Sequence, residues 1–476
     1  MEKLKIYLVV FISFLLIFPQ TLFAQTNKTL SKSNQTADLL IVGGIVVTMN
    51  ERHEVIEDGA VAVKNGAIVA VGKTADVTKQ FTANETIDAK GKVVIPGLIN
   101  THTHVPMSLY RGIADDLDLQ EWLTKYIFPA EAKNVNEAFV RAGTRLGLAE
   151  FIRGGTTTFC DMYYFEDAIA DETAKAGVRA VLGETLIDFP APDNKTFDEA
   201  LVYTENFIKK WQGNSLVIPA VAPHATYTVS QEHLLKTRAL SDKLNAPLVI
   251  HLAEAETETA FIEQNHKGMR PIEYVEKIGF LSDKTIAAHV IQANDAELEI
   301  LKKRGVGIAH NPQSNMKLAA GVAPVPAMLA KNLRVGLGTD GAASNNDLSL
   351  WEEMDTAAKL HKVFSKDPKV VSAEQAFMMG TIGGARALHL ENLIGSLEVG
   401  KRADVVVVDF DNLNQTPYYN VFSSLVYATK ADDVRHVIID GKVIMRDRRL
   451  LRLDENVIKK DANLYRQKII NSLSSN

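Results

Sequence analysis

The 476-residue sequence contains a single cysteine, Cys160. No disulfide can form within the chain, and no metal site can be built from several thiolates. Histidine, aspartate and glutamate are therefore the candidate ligands for any bound metal. The stability of the fold must come from its core, for which 46% hydrophobic and 23% charged residues are ordinary globular material.

The sequence also lacks a long run of basic residues, and its formal net charge is −6. Proteins that bind nucleic acid present a basic surface to the phosphates, so this composition argues against such a partner. We expect a small-molecule substrate instead. A homo-oligomer is compatible with the sequence.

The amino terminus has the pattern of a targeting segment. Two lysines precede the apolar stretch from Ile6 to Phe18, and Ala24 is a small residue after which cleavage can occur. Leu22, the third residue before this cut, is larger than the residue preferred there. This pattern predicts a secretory signal over residues 1–24 and a polar linker over residues 25–37. An uncleaved anchor is the alternative, but the apolar run is short, so we expect a periplasmic or secreted protein without a stable membrane anchor.

Both ends of the remaining chain alternate apolar and polar residues between turn signals, which is typical of short antiparallel strands. Asn65-Gly66 and Asp440-Gly441 are dipeptides favoured in two-residue hairpin turns. We predict that residues 38–95 and 396–450 form one composite β-sandwich domain and that residues 451–476 form a C-terminal helix. The alternating runs are Leu39 to Asn50, Val55 to Val71, Ala403 to Asp409 and Val434 to Met445.

The middle of the chain, residues 96–395, alternates strand-like apolar runs with helical stretches such as Asn136 to Arg153 and Gln231 to Leu244. This order is typical of parallel βα units. Eight strands are predicted, which favours a closed (β/α)8 barrel of the TIM type over an open sheet. The predicted strands are Val93 to His104, Thr156 to Met162, Arg179 to Ile187, Leu216 to His224, Pro247 to Glu254, Thr285 to Val290, Val306 to Asn311 and Arg334 to Gly341.

Residues suited to metal and proton chemistry stand at the carboxyl ends of these strands, where such a barrel collects its active-site loops. Residues two apart in a strand face the same side, so His102 and His104 can point together into the barrel mouth. A lone histidine is more often a hydrogen-bonded core residue, but repeated placement at strand ends favours a site. The strand-end residues are His102, His104, His224, His251, Glu254, His289, His310 and Asp340.

Several motifs resemble those of the amidohydrolase superfamily. The blocks Gly341 to Asn346 and Arg111 to Asp116 are most similar to methylthioadenosine/S-adenosylhomocysteine deaminases and to related triazine hydrolases. The resemblance covers the chain after the amino-terminal segment. The other segments that show it are Pro96 to His104, Gly154 to Thr157, His251 to Glu254, His310 to Asn315 and Gly338 to Gly341.

This resemblance implies one divalent metal, expected to be zinc, with iron or manganese as alternatives. Two-metal relatives carry a carboxylated lysine on the fourth barrel strand, and Leu216 to His224 contains no lysine, which implies a single ion. Such an ion lowers the pKa of a bound water from about 15.7 to about 7 and so supplies a nucleophile near neutral pH. The implied ligands are His102, His104, His251 and Asp340.

The resemblance also implies the roles of the residues that act on the substrate. Glu254 is expected to donate a proton to the ring nitrogen, while His289 and Asp340 orient the water and accept its proton. Glu131 is expected to accept hydrogen bonds from ribose hydroxyls, and His224 to contact the purine. The substrate would thus be bound by Glu131, His224, Glu254 and Asp340. Trp122 and Phe128 are interpreted as core aromatics.

The sequence therefore predicts hydrolytic deamination of an adenine nucleoside such as 5′-methylthioadenosine, adenosine or S-adenosylhomocysteine, with an inosine-type product and ammonia. Glu184 stands towards the end of the third predicted strand, in the stretch where some deaminases carry arginines, and it argues against a substrate with a carboxylate tail. One alternative is a hydrolase of guanine, a triazine or a related ring, which would have no use for Glu131 as a ribose acceptor. The other is a catalytically inactive, exported purine-binding protein, against which the complete ligand set argues.

Overall fold

The computed structural model describes residues 35–474. The signal segment predicted over residues 1–24, and most of the polar linker, lie outside these residues. Within the described range, no helix is both long and apolar enough to cross a membrane.

Seventeen strands are found in residues 35–474. They are β1 (Gln35–Val47), β2 (Val55–Lys64), β3 (Ala67–Lys73), β4 (Phe81–Asp88), β5 (Lys92–Pro96), β6 (Leu98–Thr103), β7 (Thr156–Tyr163), β8 (Arg179–Leu186), β9 (Val217–Pro223), β10 (Leu248–Leu252), β11 (Thr285–His289), β12 (Gly307–His310), β13 (Arg334–Leu337), β14 (Val405–Asp409), β15 (Val434–Ile439), β16 (Lys442–Arg446) and β17 (Arg449–Leu450).

The same residues contain seventeen α-helices, together with three 3₁₀ turns (Val105–Tyr110, Leu413–Gln415 and Ala431–Asp433) and a π-helix (Trp122–Ile127). The α-helices are α1 (Thr74–Thr78), α2 (Leu119–Glu121), α3 (Phe128–Asn134), α4 (Glu137–Gly154), α5 (Glu166–Ala176), α6 (Phe197–Trp211), α7 (Gln231–Leu244), α8 (Glu256–Asn265), α9 (Pro271–Lys277), α10 (Asp295–Arg304), α11 (Pro312–Lys317), α12 (Val325–Ala330), α13 (Leu350–Ser365), α14 (Ala373–Met379), α15 (Ile382–Ala387), α16 (Val421–Tyr427) and α17 (Glu455–Ser474).

Both chain ends contribute to one mixed sheet of nine strands. Its order is β17-β16-β15-β14-β5-β1-β2-β3, and β4 pairs with β1 in parallel. The predicted hairpin turns form where the sequence placed them. Asn65 and Gly66, between β2 and β3, have φ of 51° and 76°, and Asp440 and Gly441, between β15 and β16, have φ of 53° and 74°. Two successive left-handed residues are what a type I′ turn requires.

The central strands form the eight-stranded parallel barrel of the predicted class. They lie in the order β13-β12-β11-β10-β9-β8-β7-β6, which follows the chain from one neighbour to the next. Where the first and last strands meet, the amide of Asp340 donates to the carbonyl of His102 at 3.0 Å. This hydrogen bond brings two predicted metal ligands together at the closure of the barrel.

The segment Val93 to His104, predicted as a single strand, is divided between the two sheets. β5 pairs with β14 and β1 in the mixed sheet, and β6 begins the barrel. Gly97 lies at the division, and its amide donates to the carbonyl of Asp404 at 2.9 Å. A Cβ at this position would lie 2.0 Å from the Thr157 hydroxyl oxygen. The close approach of the two sheets therefore excludes any side chain there and ends the first strand.

A buried ion pair also joins the barrel to the mixed sheet. The Arg179 guanidinium, at the start of β8, donates to Asp404 through Nε at 2.9 Å and Nη2 at 3.2 Å. The Asp440 amide donates to the same carboxylate at 2.8 Å. Arg179 and Asp404 are 0% and 5% exposed. Because water cannot reach either group, each charge is stabilised by the other.

The C-terminal helix α17 packs on the helices that lead to the barrel mouth. The Tyr465 ring meets the Phe139 ring of α4 edge-on at 5.5 Å. The Asn134 amide, at the end of α3, donates to the Ser472 hydroxyl at 2.8 Å. Because α3 also carries Glu131, this contact fixes a helix that borders the candidate site.

Candidate active site

Four side chains converge at the carboxyl ends of β6, β10 and β13. The Asp340 Oδ1 atom lies 3.5 Å from His102 Nε2 and 3.3 Å from His104 Nε2. His104 Nε2 lies 3.3 Å from His251 Nε2. Two overlapping groups of candidate metal ligands are found here, one of His102, His104 and His251 and one of His102, His289 and Asp340.

Backbone carbonyls orient two of the imidazoles. His104 Nδ1 lies 2.5 Å from the Met162 carbonyl oxygen, and His251 Nδ1 lies 2.8 Å from that of His224. A carbonyl accepts only from a protonated nitrogen, so each ring carries a proton on Nδ1, and Nε2 is the nitrogen available to a metal. Both Nε2 atoms face the space beside Asp340, as metal-binding histidines require.

Three donors hold the Asp340 carboxylate. Its Oδ2 atom accepts from the Ser314 hydroxyl at 2.6 Å and the Ser344 hydroxyl at 3.0 Å. Its Oδ1 atom accepts from the Gly341 amide at 2.8 Å. With Oδ2 engaged by two hydroxyls, Oδ1 is the oxygen that faces the imidazoles.

The spacing of these atoms fits a divalent ion. Zinc binds nitrogen and oxygen at about 2.1 Å, and the edge of a tetrahedron of that radius is about 3.4 Å. The separations of 3.3, 3.3 and 3.5 Å between facing ligand atoms match this edge. Both ring nitrogens of His102 are buried without a hydrogen-bond partner. A metal would satisfy one of them, so the residues present fit the predicted zinc.

Burial favours the neutral form of two of the three imidazoles. Burial lowers the pKa of His102 to about 4, and burial lowers the pKa of His251 as well. Burial acts in the same direction on His104, but the Asp340 carboxylate outweighs it and raises that pKa to about 9. A metal must displace this proton, so we expect the affinity for metal to fall as the pH drops.

Glu254 and His289 lie beside this centre. Glu254 Oε1 is 3.6 Å from His289 Nε2, and burial raises the Glu254 pKa. The Glu254 amide donates to the Glu258 carboxylate at 2.8 Å, which holds the loop after β10. His289 Nδ1 lies 2.9 Å from the Asn315 side-chain oxygen and 3.3 Å from the Asn311 side-chain nitrogen. The shorter contact favours a proton on Nδ1, with Nε2 facing Glu254.

A cavity opens over the centre. It is lined by His104, His251, Glu254, His289 and Asp340, and also by Glu131 and His224. Glu131 is 4% exposed and accepts from the Tyr163 hydroxyl at 2.7 Å, and burial raises its pKa to about 7. The structure thus places every residue of the predicted site, apart from the fully buried His102, on the wall of one cavity.

His224 is held in a neutral form on this wall. Its Nδ1 lies 2.8 Å from the Thr228 hydroxyl. Burial lowers its pKa to about 3. A neutral imidazole can donate to or accept from a purine nitrogen, which suits the predicted contact with the base.

Two strand-end residues do not enter the cavity. His310 is fully buried, and its Nε2 lies 3.0 Å from His361 Nε2 on α13. Glu184 is also fully buried, where it accepts from the Glu166 amide at 3.1 Å and the Asn194 amide group at 3.3 Å. Its neighbour Thr185 lines the cavity instead. The argument from Glu184 against a substrate with a carboxylate tail therefore fails, because alternate residues of β8 face opposite sides and Glu184 faces away from the cavity.

Some residues of the site were not assigned a role from the sequence. Ser314, Asn315 and Ser344 lie within the recognised motifs, but their contacts with Asp340 and His289 join segments that meet only in the fold. Trp122 and Phe128, interpreted as core aromatics, line the cavity. The π-helix that ends before Phe128 is an irregularity often found at functional sites.

The sequence matches the amidohydrolase family over residues 93–444. It is 48% identical to a 5-methylthioadenosine/S-adenosylhomocysteine deaminase of Syntrophobacter fumaroxidans over 418 residues, which are 88% of this chain and 95% of that protein. It is 42% identical to a 5′-deoxyadenosine deaminase of Methanosarcina barkeri, with 92% and 100% of the two chains covered.

Two solved structures have a fold similar to that of this chain. An adenosine deaminase from Xanthomonas campestris with bound zinc has a TM-score of 0.90 and 39% identity, covering 92% of this chain and 100% of that one. Atrazine chlorohydrolase from Arthrobacter aurescens, complexed with zinc, has a TM-score of 0.83 over 90% of this chain and 99% of its own. At 23% identity, this second likeness concerns the fold alone.

Proposed function

This chain belongs to the amidohydrolase family, and on that premise we propose that it is a zinc-dependent deaminase of adenine nucleosides. It is a hydrolase that exchanges the amine on the purine ring for the oxygen of water and releases ammonia. The observation that supports a nucleoside substrate is Glu131, a buried carboxyl group in the same cavity as the metal centre. A ribose needs such an acceptor, whereas a bare heterocycle does not.

The ion would be held by His102, His104, His251 and Asp340. When bound, it would lower the pKa of a water molecule enough to provide a nucleophile near neutral pH. The protein must then orient the adenine ring over the centre and move two protons. The residues on the cavity wall supply both requirements.

Glu254 is the proton donor of this scheme. Burial raises its pKa, which favours the protonated acid that a donor requires. From the cavity wall it can protonate the ring nitrogen next to the amine-bearing carbon. Protonation there draws electrons from that carbon and favours the addition of water.

His289 and Asp340 act on the water side of the ring. Asn315 fixes the proton of His289 on Nδ1, which leaves Nε2 free to accept a hydrogen bond or a proton. The facing imidazoles outweigh burial and keep the pKa of Asp340 well below its usual value, so its carboxylate is ionised and can accept a hydrogen bond from the water. A proton taken up here can pass to the departing amine, which leaves as ammonia.

A spectroscopic assay tests the proposed function. The zinc-loaded protein should convert adenosine or 5′-methylthioadenosine into its inosine form, followed as loss of adenine absorbance together with ammonia release. A chelator should abolish turnover and added zinc should restore it. Turnover of guanine or a triazine without turnover of any adenine nucleoside would contradict the nucleoside assignment but leave the hydrolase chemistry standing.

Glu131 provides a second test. Glu131→Gln should raise KM for adenosine about 10- to 100-fold, because a hydrogen bond to a charged group contributes about 1.5–3 kcal/mol. Turnover of free adenine, if measurable, should not change. Tyr163→Phe is the matched control, since it removes the hydroxyl that contacts Glu131 and leaves the carboxylate in place. An equal loss for the nucleoside and the free base would argue against a ribose contact.

We also propose that the chain is exported and that its signal segment is removed after Ala24. The support is the basic, apolar and small-residue order of residues 1–24. Amino-terminal sequencing of the protein recovered from a periplasmic or secreted fraction tests this. A product that retains residues 1–24 in the cytoplasmic fraction would contradict it.

A further inference from the structure

We propose that Glu258 is a positioning residue of the active site, which sets where the Glu254 carboxyl meets the substrate and ties it to the loop that carries the purine contact. This inference rests on the proposed deaminase function. Glu258 is the third residue of α8 and does not line the cavity, so it acts through its neighbours. It is 2% exposed, and it belongs to neither group of candidate metal ligands.

One carboxylate oxygen of Glu258 holds the backbone at Glu254. The Oε2 atom accepts from the Glu254 amide at 2.8 Å. The preceding residue, Ala253, has a φ of 53°, a left-handed conformation that is unfavourable for a residue with a side chain. Such a turn persists only where surrounding contacts hold it. The bond from Glu258 is one of these contacts, and it acts on the amide of the proton donor itself.

The other carboxylate oxygen reaches the loop after β9. The Oε1 atom accepts from the Thr226 hydroxyl at 2.6 Å, and both side chains are buried. Thr226 lies between His224 and Tyr227 in the chain, and both of these residues line the cavity. Glu258 therefore bonds the loop that carries the purine contact to the loop that carries the proton donor.

This link matters because Glu254 must reach one nitrogen of a ring that His224 also contacts. The nearest polar partner of the Glu254 carboxyl is His289 Nε2 at 3.6 Å, which is longer than a hydrogen bond. The placement of the carboxyl thus depends on its backbone. Proton transfer requires a separation of about 2.6–3.2 Å between heavy atoms, and a misplacement of about 1 Å can lower the rate about 100-fold.

A glutamine at position 258 can reproduce both bonds. Its side-chain oxygen would accept from the Glu254 amide, and its NH₂ group would donate to the Thr226 hydroxyl, which accepts as well as donates. A leucine of similar size can form neither bond. The two substitutions at Glu258 therefore separate hydrogen bonding from the filling of space.

Steady-state kinetics with adenosine test the inference on the full-length, zinc-loaded protein. Glu258→Leu should lower kcat about 100-fold while the protein keeps one zinc per chain by elemental analysis. Glu258→Gln should retain kcat within about fivefold of the wild type, because both bonds are restored. Thr226→Val removes only the bond to the loop after β9, so we expect KM to rise about tenfold and kcat to stay within about threefold.

Glu199→Leu is the matched control. Glu199 is the third residue of α6, and its carboxylate accepts from the backbone amides of Lys195 and Thr196 at 2.9 and 3.1 Å. It does not line the cavity. The same substitution at the equivalent helix position should lower Tm but leave both kcat and KM for adenosine within about twofold of the wild type.

Three results would overturn the inference and leave the deaminase function intact. The first is a kcat for Glu258→Leu within about threefold of the wild type, and the second is loss of zinc from that variant, which would assign Glu258 to the metal centre. The third is an equal loss of kcat in Glu258→Gln, because charge rather than hydrogen bonding would then be required. If Glu258→Leu does not fold, an unchanged KM for Thr226→Val overturns the inference instead. A wild-type protein that deaminates no adenine nucleoside would refute the proposed function, and the inference with it.

Discussion

The two serine hydroxyls on Asp340 offer a direct test of how the metal centre is organised. Ser314 and Ser344 both donate to Oδ2, at 2.6 and 3.0 Å, and thereby leave Oδ1 to face the imidazoles. Neither serine would contact the ion. If the hydroxyls fix the orientation of the carboxylate, their removal should weaken metal binding without removing a ligand.

The expected magnitude follows from these contacts. A hydrogen bond to a charged group contributes about 1.5–3 kcal/mol, and loss of such an outer contact typically weakens metal binding about 10- to 100-fold. Ser314→Ala removes the shorter bond but leaves Ser344 on the same oxygen, so the lower limit, about tenfold in Kd or about 1.4 kcal/mol, applies. The double variant with Ser344→Ala leaves Oδ2 buried without a donor, and we expect a loss of about 100-fold.

Competition of the apoprotein with a chromophoric chelator for zinc measures these affinities directly. Ser241→Ala is the matched control, because its buried hydroxyl donates to the Ala246 carbonyl at 2.7 Å on α7, which does not line the cavity. It should lower stability but not zinc affinity. A double variant whose zinc affinity lies within threefold of the wild type would refute the reasoning, since Asp340 would then be oriented by other contacts or would not bind the ion.

Glu254→Gln should keep one zinc per chain by elemental analysis yet lose about 10³-fold in kcat, because the amide cannot deliver a proton. Burial raises the pKa of Glu166 well above its usual value and that of Asp161 to about 7. Above about pH 4.5 the folded state therefore binds more protons than the unfolded state. The free energy of unfolding then falls as the pH rises. Glu166→Gln should therefore lose less of its Tm between about pH 5 and pH 8 than the wild type. Arg179→Met should lower the free energy of unfolding by about 3–5 kcal/mol, measured by urea denaturation, because it leaves the Asp404 charge buried without its partner. Adding Asp404→Leu should recover most of this loss.

Much of the barrel could be predicted because its signals are local. α7 has the predicted bounds, Gln231–Leu244, and α4 begins after Asn136, whose side chain caps the helix by accepting from the Phe139 amide. Histidines at strand ends could be located in the same way. Parallel strands bring their carboxyl ends to one face, so a sequence position becomes a position in space.

The direction in which a strand residue points could not be predicted with the same reliability. Glu184 and Thr185 are adjacent in β8. A shift of one residue in the assigned strand register would turn Glu184 towards the cavity and bury Thr185 behind the strand. His310 ends β12 as His289 ends β11, yet only His289 reaches the cavity. Contacts between elements distant in the chain are harder still, because Ser314 on α11 and Asp340 after β13 are 26 residues apart and meet only in the fold.

Backbone conformation explains why these side chains meet over the barrel. Ala253, His289 and Asp340 follow or end strands with φ of 53°, 72° and 59°, a left-handed region that costs non-glycine residues about 1–3 kcal/mol each. An extended backbone at these points would carry the chain onward along the strand direction, whereas the left-handed turn folds it back over the barrel mouth. Hydrogen bonds between strands hold the strained turns, including Asp340 to the His102 carbonyl and the Val290 amide to the Leu252 carbonyl. The stability of the barrel thus maintains the geometry of the metal centre, and a variant that loosens β11 or β13 should weaken zinc binding before it unfolds the protein.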